Sequence, residues 1–371
     1  MEPKIVRHLH DKATALNIPI NGSFELTARC NFNCPMCYVH LSPEQIRSRG
    51  RELSGDEWLD IAAQAKRAGT VFLLLTGGEP LLHPDFERIY LELKRMGFWI
   101  SINTNANMIE GEMLELFRKE PPYRFNITLY STSNEGYARQ CGVPAYDRVL
   151  RNIRALRDDG MTLRINLTIT PDNQADMPEM IRTAKELAPV IQGGTYLMPP
   201  IRVDEAMVGQ NHRPSPEEAG RLQVLYDRLR LDADAFRQRA ERISRGEPLR
   251  SVTGEEYESG SIVRCRAGRA VYWIDWQGNM MPCAQLPVPT CNVLDNGFDA
   301  AWRHIVEEIS KIRLPKECVG CKHAKLCNAC AAKCYAETGN FHTKPDYVCR
   351  FTHSFYDEIT DAWKKEQGNE N

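Results

Sequence analysis

The feature that most constrains this fold is a regular alternation of short β-rich runs with helical patterns. Each run is rich in the branched and aromatic residues that favour strands. The six runs are NGSFELT (21–27), TVFLLLT (70–76), FWISINT (98–104), YRFNITLYS (123–131), TLRINLTIT (162–170) and GTYLMPP (194–200). Such alternation indicates parallel strands that are joined by helical crossovers.

Helical patterns fill the segments between these runs. One begins with a capping box at Ser54 to Glu57, where the serine and glutamate side chains can each satisfy a free backbone N–H group. The others cover 85–97, which ends on Gly97, then 145–160 and 177–189. Six strand–helix units are fewer than the eight of a closed barrel. The sequence therefore predicts the α/β class and, within it, an open, partial (β/α)6 TIM-like barrel.

Chain length indicates a second, smaller unit, because 371 residues exceed the roughly 250–300 that one core usually holds. We divide the chain into an N-terminal extension (1–18), the barrel (19–210), a helical linker (211–260) and a C-terminal cysteine-rich domain (261–371). In the linker, a charged amphipathic pattern begins after two prolines and ends at Gly246 to Pro248. The pattern is typical of a solvated surface helix.

The charge balance argues against nucleic acid or a membrane surface as a partner. The chain has 47 basic and 49 acidic residues and no block of Lys or Arg. Its start lacks the apolar core of a signal peptide, and no apolar run reaches the roughly 18 residues of a membrane span. The sequence predicts a soluble, cytoplasmic protein.

Thirteen cysteines in a large chain without an export signal indicate metal binding rather than disulfide bonds. Cys30, Cys34 and Cys37 follow the first run directly, and nine more lie between Cys265 and Cys349. Cys141 stands alone and is expected to pack as a small apolar residue. A structural zinc site needs four ligands, whereas three thiolates leave one metal position open. A zinc knuckle, incidental thiols and a metal centre with an open position are the alternatives.

The second run leads straight into TGGEP (76–80). The carboxyl ends of parallel strands meet at one rim, so this turn and the first three cysteines are expected to lie together. Two consecutive glycines allow a backbone to approach a ligand closely, and Glu79 adds a charged edge.

The C-x3-C-x2-C spacing followed by GGEP on the next strand resembles the radical S-adenosylmethionine (radical SAM) superfamily over roughly residues 19–200. The resemblance implies that Cys30, Cys34 and Cys37 hold a [4Fe–4S] cluster whose unique iron takes the amino and carboxylate groups of SAM. Reductive cleavage of SAM would then give a 5′-deoxyadenosyl radical. The same resemblance places Gly77, Gly78 and Glu79 at the methionine end of SAM.

Two threonines at later strand ends, Thr104 and Thr128, are candidates for positions near the ribose of SAM, on the grounds of position alone. As an alternative, each is a polar residue that suits a strand end.

The tail resembles the SPASM domain, a C-terminal extension of many radical SAM enzymes that holds two auxiliary [4Fe–4S] clusters. The resemblance rests on Cys265-x12-Gly278-x4-Cys283, on the run CVGCKHAKLCNACAAKC and on the late Cys349. It implies one cluster on Cys318, Cys321, Cys327 and Cys349, and the other on Cys265, Cys283 and Cys330. The extra Cys334 departs from the commoner spacing, which leaves a fourth ligand in doubt: Cys334 is preferred, then an open iron, then Cys291.

Enzymes of this kind usually modify side chains of peptides or proteins, so the resemblance implies a crosslink, an epimerisation or an oxidation. Formylglycine formation is disfavoured, because Ala284 stands where that subtype carries an aspartate base. Only 29 residues precede Cys30, so a leader peptide would need a separate leader-binding protein or another surface. An electron donor such as flavodoxin or ferredoxin is the other expected partner. The alternatives are a radical SAM enzyme for a small metabolite and a non-catalytic, zinc-binding regulatory protein.

Overall fold

The computed structural model describes residues 4–247, 263, 265–318, 321–324, 326–327 and 329–368. One nine-stranded sheet runs through this part of the chain, in the order β6-β5-β4-β3-β2-β1-β7-β8-β9. The strands are β1 Asn21–Glu25, β2 Phe72–Thr76, β3 Trp99–Thr104, β4 Arg124–Leu129, β5 Leu163–Thr168, β6 Val190–Gly194, β7 Val271–Ile274, β8 Asn279–Met281 and β9 Cys291–Asn292. The two edges, β6 and β9, are not paired with each other. An open, partial barrel is therefore confirmed.

Helices connect the strands and cover the outer face of the sheet. They are α1 Lys4–Ala15, α2 Pro43–Arg49, α3 Gly55–Arg67, α4 Phe86–Arg95, α5 Glu112–Lys119, α6 Asn134–Cys141, α7 Tyr146–Asp158, α8 Met177–Leu187, α9 Pro216–Arg230, α10 Ala233–Ser244, α11 Val293–Asn296, α12 Phe298–Lys311, α13 Ala331–Thr338 and α14 Asp346–Gly368. The predicted capping box is present, since Ser54 accepts from the N–H of Glu57 and the Glu57 carboxylate accepts from the N–H of Ser54. Gly97 follows α4 with φ +80°.

The alternation of side chains along each strand separates an apolar outer face, which packs against the helices, from a polar inner face. On β4, Phe125, Ile127 and Leu129 are fully buried against the helices. The residues between them, such as Asn126 and Thr128, face the inside of the barrel and line a cavity there. The same sequence pattern thus builds the core and equips the interior with polar groups.

The sixth predicted strand was placed wrongly. The structure puts β6 at Val190–Gly194, and 195–200 continues as a loop. The β-branched pair Val190 and Ile191 forms the strand, whereas Pro199 and Pro200 cannot donate to a sheet ladder.

The tail extends the sheet that the barrel begins. Strand β7 pairs in parallel with β1, with Ser23 opposite Trp273, and β8 and β9 follow as antiparallel strands. The C-terminal cysteine-rich segment is thus continuous with the barrel through backbone hydrogen bonds.

The interpretation of 211–248 as one solvated surface helix is wrong. The structure forms two helices there, α9 and α10, separated at Leu231 and Asp232. Val224, Phe236 and Ile243 are buried in a second core that they share with Phe355 and Ile359 of α14. Pro248 lies outside the described residues.

Among the described helices, none is both long and apolar enough to cross a membrane.

Candidate active site

A cavity of about 660 Å³ opens at the carboxyl ends of the barrel strands. This volume lies within the range of about 300–1,000 Å³ that is typical of ligand sites. Its floor is made by polar residues at or near the ends of β2 to β5: Thr76, Asn103, Thr104, Asn126, Thr128, Asn166 and Thr168. The cysteine loop after β1 forms one side, and residues of the C-terminal segment form the other.

The three cysteines of the C-x3-C-x2-C loop all line this cavity. Backbone N–H groups already point at two of the sulfurs, from Phe32 to Cys30 Sγ at 3.4 Å and from His40 to Cys37 Sγ at 3.3 Å. Such bonds favour the thiolate form, which is the form that ligates metal. The loop therefore presents three sulfur ligands to the cavity from one short segment.

Burial works against free thiolates in this loop. It raises the pKa of Cys30 to about 12 and also raises the pKa of Cys37. A cationic metal centre in contact with these sulfurs would stabilise the deprotonated form.

Cys141 is fully buried in the core, as expected, but it also contacts the triad. A hydrogen bond between the Cys141 and Cys34 thiols lowers the pKa of Cys34. The carbonyl of Cys141 also accepts from the N–H of Asn33 at 2.7 Å. Sequence spacing gave no signal for this contact, because α6 brings Cys141 to the loop through the fold alone.

The TGGEP turn is hydrogen-bonded to the backbone just before the cysteine loop. The N–H of Gly78 donates to Thr27 O and the N–H of Glu79 donates to Arg29 O, each at 2.8 Å. A Cβ atom on Gly77 would lie 2.5 Å from Thr27 O, and one on Gly78 would lie 2.3 Å from Arg29 O. Both glycines are thus required by the close approach of two backbone segments, and both line the cavity.

Glu79 lies behind the cavity wall and not on its surface. Its buried carboxylate accepts from the Thr104 hydroxyl at 2.9 and 3.0 Å and from the N–H of Asn105 at 2.9 Å. Burial raises the pKa of Glu79 to about 7. In this structure Glu79 braces the end of β3, while Gly77, Gly78, Thr104 and Thr128 face the cavity.

Sequence reasoning missed an asparagine row on the inner face. The amide of Asn126 donates to Asn103 Oδ1 at 2.8 Å, and Asn166 lines the cavity beside them. Asn126 is only 7% exposed, and its Oδ1 has no hydrogen-bond partner within the described part of the chain. A buried, unpaired acceptor is costly, so this position fits a ligand that carries a hydrogen-bond donor. Every second residue of β3 to β5 faces the inside of the barrel, and this alternation is the sequence signal that could have identified the asparagine row.

The mutual charge effects of the tail cysteines divide them into two neighbourhoods. Burial raises the pKa of Cys283 to about 12, with further contributions from Cys330 and Cys265. In the other set, burial raises the pKa of Cys349 to about 11, and the charge of Cys327 raises it further.

Cys318 and Cys321 belong to the second neighbourhood. Burial raises the pKa of Cys318, and the charges of Cys327 and Cys321 add to this effect.

Cys334 lies between the two neighbourhoods. Burial raises its pKa, and the charges of Cys330 on one side and of Cys318, Cys327 and Cys349 on the other add to the effect. Cys291 is different, because burial and Asp295 are the causes that raise its pKa, without a thiol among them. Cys334 therefore lies near thiols of both neighbourhoods, whereas no thiol is among the causes of the Cys291 shift.

Within the described residues, no group of three or more Cys, His, Asp or Glu side chains converges to hold a single metal ion. A cubane cluster makes a different demand, because each thiolate binds a separate iron at its own corner. The sulfurs therefore need to surround a space and not to meet at one point.

A buried ion pair holds the outer wall of the cavity in place. Arg213 and Glu337 are each 4% exposed and form a two-pronged contact at 2.6 and 2.8 Å. The Tyr196 hydroxyl donates to the same carboxylate at 2.6 Å, and the Arg213 guanidinium stacks on Tyr347 at 3.6 Å. Tyr196 itself lines the cavity, so helix α13 of the tail fixes a wall that belongs to the barrel loop.

The chain matches the family model of the radical SAM superfamily over residues 24–184. It is 28% identical over 347 residues to an AdoMet-dependent heme synthase of Methanosarcina barkeri, which is 89% of this chain and 96% of that protein. It is 23% identical over 356 residues to a PqqA peptide cyclase of Gluconobacter oxydans, which is 93% of this chain and 94% of that protein.

Two solved structures share the fold over nearly the whole chain. SuiB of Streptococcus suis bound to precursor peptide SuiA has a TM-score of 0.68 at 18% identity, covering 93% of this chain and 80% of that one. Native anSMEcpe with bound AdoMet has a TM-score of 0.66 at 15% identity, covering 95% of this chain and 100% of that one.

Proposed function

Because residues 24–184 match the family model of the radical SAM superfamily, we propose that this chain is a radical SAM enzyme that abstracts hydrogen from a side chain of a peptide or protein and so installs a post-translational modification. The family implies a [4Fe–4S] cluster and SAM. The observation that carries the proposal is the single cavity on which the cysteine triad, the glycine turn and the tail converge.

Cys30, Cys34 and Cys37 are the residues we assign to the cluster. When bound, the cluster and SAM supply a 5′-deoxyadenosyl radical by reductive cleavage. The donor set fits, because the three sulfurs line one cavity and backbone N–H groups point at two of them. The buried contact with Cys141 orients Cys34 from behind.

The SAM molecule is assigned to the floor of the cavity. The exposed backbone of Gly77 and Gly78 can approach its methionine end closely, and the free acceptor of Asn126 suits an amino or hydroxyl donor. Thr104 and Thr128 lie on the same floor, although the Thr104 hydroxyl already donates to Glu79. Glu79 acts in this proposal through the shape of the β3 end and not through contact with SAM.

The tail is proposed to be a SPASM domain with two auxiliary [4Fe–4S] clusters, on the two cysteine neighbourhoods and with Cys334 as the additional ligand. The grouping of the thiols supports this assignment. Cys330 is the N-cap of α13, which also carries Glu337 of the wall. A cytoplasmic location and a flavodoxin- or ferredoxin-type electron donor belong to the same proposal.

A peptide or protein substrate is supported by the relatives that act on peptides. One is named PqqA peptide cyclase, and the structure of SuiB holds a precursor peptide. The outer wall, with Tyr196, Leu197 and Phe351, is large and apolar enough to enclose a side chain near SAM.

A small metabolite is the second candidate, and a specific observation favours it. Lys333 and Arg239 line the cavity, and none of the described lining residues is Asp or Glu, although Arg239 is paired with Asp227 at 2.7 Å, so Lys333 carries the argument. Such a cavity suits a substrate that carries a carboxylate. The relative named AdoMet-dependent heme synthase, which matches this chain over 89% of its length, is consistent with a non-peptide substrate.

The proposal is tested with anaerobic, reconstituted enzyme. The protein should contain iron and sulfide for about three cubane clusters, and after reduction it should release 5′-deoxyadenosine from SAM. Cys34→Ala should lose this release, because two thiolates do not hold the cluster. The matched control is Cys291→Ala, a cysteine set apart from the other thiols, which should behave as wild type. Zinc in place of iron, or normal SAM cleavage by Cys34→Ala, would refute the assignment.

A further inference from the structure

The end of the barrel opposite the cavity exposes an unusual amount of apolar surface. We call it the amino-terminal face, and it consists of α1, the segment 16–20 that leads from α1 into β1, and the residues at which β2 to β6 begin. Of the nine large apolar side chains that are exposed in the described part of the chain, seven lie here. They include Ile5, which is 74% exposed, Trp99 at 54% and Tyr123 at 49%. Contiguous exposed apolar surface on a folded chain marks a place of interaction.

Ring contacts make this surface continuous. His10 of α1 lies 5.4 Å from Phe72, measured between ring centroids. Phe72 lies 6.0 Å from Trp99, and Trp99 lies 5.2 Å from Tyr123. The aromatic row thus crosses from the helix over the starts of β2, β3 and β4.

Two arginines continue the row: the Arg124 guanidinium lies 5.7 Å from the centroid of the Tyr123 ring, and Arg164 donates to the amide oxygen of Gln192 at 3.1 Å. Arg124 and Arg164 stand on neighbouring strands, where Phe125 pairs with Leu163 in the ladder register. The Nε atoms of both arginines are buried, with no hydrogen-bond partner in the part of the chain that the structure describes. Within the same part of the chain, neither arginine forms an ion pair. Burial, and then the charge of Arg164, lower the pKa of Arg124.

Two other cations at this face have carboxylate partners. The helices run antiparallel to the strands, so their basic last turns end here, where cations are favoured by the helix dipole. Lys94 pairs with Glu120 at 2.8 Å, and Arg118 pairs with Asp159 at 2.8 Å. Arg124 and Arg164 differ from these two, because within the described residues they have no carboxylate partner, and they lie beside the exposed rings of Trp99 and Tyr123.

The charged and aromatic groups of this surface indicate which kind of partner it can bind. Two guanidinium groups side by side suit carboxylates, which they bind through paired N–H donors. The exposed aromatic row suits apolar side chains next to those carboxylates. A second copy of this chain is less suitable, because its own arginine pair would bring further positive charge to the contact.

We propose that the amino-terminal face binds an acidic, amphipathic segment of the substrate, with its carboxylates on Arg124 and Arg164 and its apolar side chains on Trp99 and Tyr123. This inference rests on the proposed function, because it takes the substrate to be a peptide or protein. Strand β4 is 6 residues long, which separates this face from the cavity by about 20 Å at about 3.3 Å per residue. The recognised segment and the modified residue are therefore at least about six extended residues apart.

The test uses reconstituted holoenzyme and a short fluorescein-labelled peptide in which Glu alternates with Leu and Phe. Two matched peptides replace every Glu by Gln or by Lys. Fluorescence anisotropy should show binding of the Glu peptide that weakens with salt, and at least about tenfold weaker binding of the other two.

Variants locate the binding. Arg124→Gln/Arg164→Gln should weaken binding of the Glu peptide at least about tenfold, and Trp99→Ser should weaken it independently, because that side chain is exposed and not part of the core. Arg148→Gln is the charge-matched control, since Arg148 is exposed near the start of α7, at the cavity end of the barrel. It should bind as wild type. All variants should release 5′-deoxyadenosine at the wild-type rate, which shows that they are folded.

Three results would overturn the inference: equal binding of the Glu and Gln peptides, full binding by the double arginine variant, or binding to phosphatidylserine vesicles in place of the peptide. Failure of the proposed function is a separate result, because wild-type enzyme would then release no 5′-deoxyadenosine whatever the peptide does.

Discussion

The Arg213–Glu337 pair offers a quantitative test of how the cavity wall is held. Glu337→Ala would leave the Arg213 guanidinium, now 4% exposed, without its carboxylate, and the Tyr196 hydroxyl without its acceptor. Removal of one member of a buried ion pair costs about 3–5 kcal/mol, and loss of a hydrogen bond costs about 1 kcal/mol. We expect the free energy of unfolding to fall by about 4 kcal/mol.

The expected change in melting temperature follows from chain size. For 371 residues, an unfolding entropy of about 2.1 cal/mol/K per residue gives about 0.8 kcal/mol/K. A loss of about 4 kcal/mol then lowers Tm by about 5 °C if the chain unfolds as one unit. Calorimetry of the anaerobic holoenzyme measures this shift directly.

Two further variants make the reasoning refutable. Arg213→Met/Glu337→Leu should be more stable than either single variant, because it leaves no buried charge alone. Glu217→Ala breaks the Arg350–Glu217 pair, whose side chains are 53% and 42% exposed, and should leave Tm unchanged. A Tm within about 1 °C of wild type for Glu337→Ala would show that the wall does not depend on this pair.

Three other changes test the site. Gly78→Ala should prevent correct folding of the cysteine loop, because its Cβ would lie 2.3 Å from Arg29 O. Gly194→Ala is the control and should fold normally, since the nearest atom to its Cβ would be 3.9 Å away. The iron content after reconstitution distinguishes the two variants. Burial raises the Glu79 pKa from 4.5 to about 7, so the stabilisation from its protonation is complete below pH 4.5 and lost as the pH rises through 7, about 3 kcal/mol in all. Glu79→Gln should lack this loss, and urea unfolding between about pH 5 and pH 8 measures the difference. Cys321→Ala should keep SAM cleavage but lose modified product, and an unchanged ratio of 5′-deoxyadenosine to product would reduce the tail to a structural role.

Much of the barrel was predictable because its strands carry their own local signals. Five of the six predicted runs coincide with strands, since branched and aromatic residues at alternate positions suit both faces of a sheet. The sixth predicted strand was misplaced because Val190 and Ile191 follow helix α8 closely. From the sequence alone, these two residues look like the end of that helix. Strand β7 was missed as a member of the barrel sheet, since only the three-dimensional register with β1 shows that relation.

In the candidate site, too, some features have a local sequence signal and others depend on the three-dimensional fold. The meeting of the cysteine triad and the glycine pair at one cavity was predictable, because each follows directly after a predicted parallel strand. The contact of Cys141 with Cys34 was not predictable, because the fold alone brings these distant residues together, whereas Asn126 could have been found only by combining the alternation of several strands. An asparagine inside a strand indicates nothing by itself until the inner face of the barrel is known.

The tail contributes directly to the cavity at the carboxyl end of the barrel. Its strand β7 extends the barrel sheet, and α13 supplies both Lys333, which faces the cavity, and Glu337, which anchors the wall. Cys330 begins the same helix. A change at the tail cysteines would therefore alter the shape of the cavity as well as any electron transfer that the proposed clusters carry out. For this reason, loss of product in a tail variant identifies an electronic role only when the wall is shown to be intact, for example by an unchanged Tm and unchanged SAM cleavage.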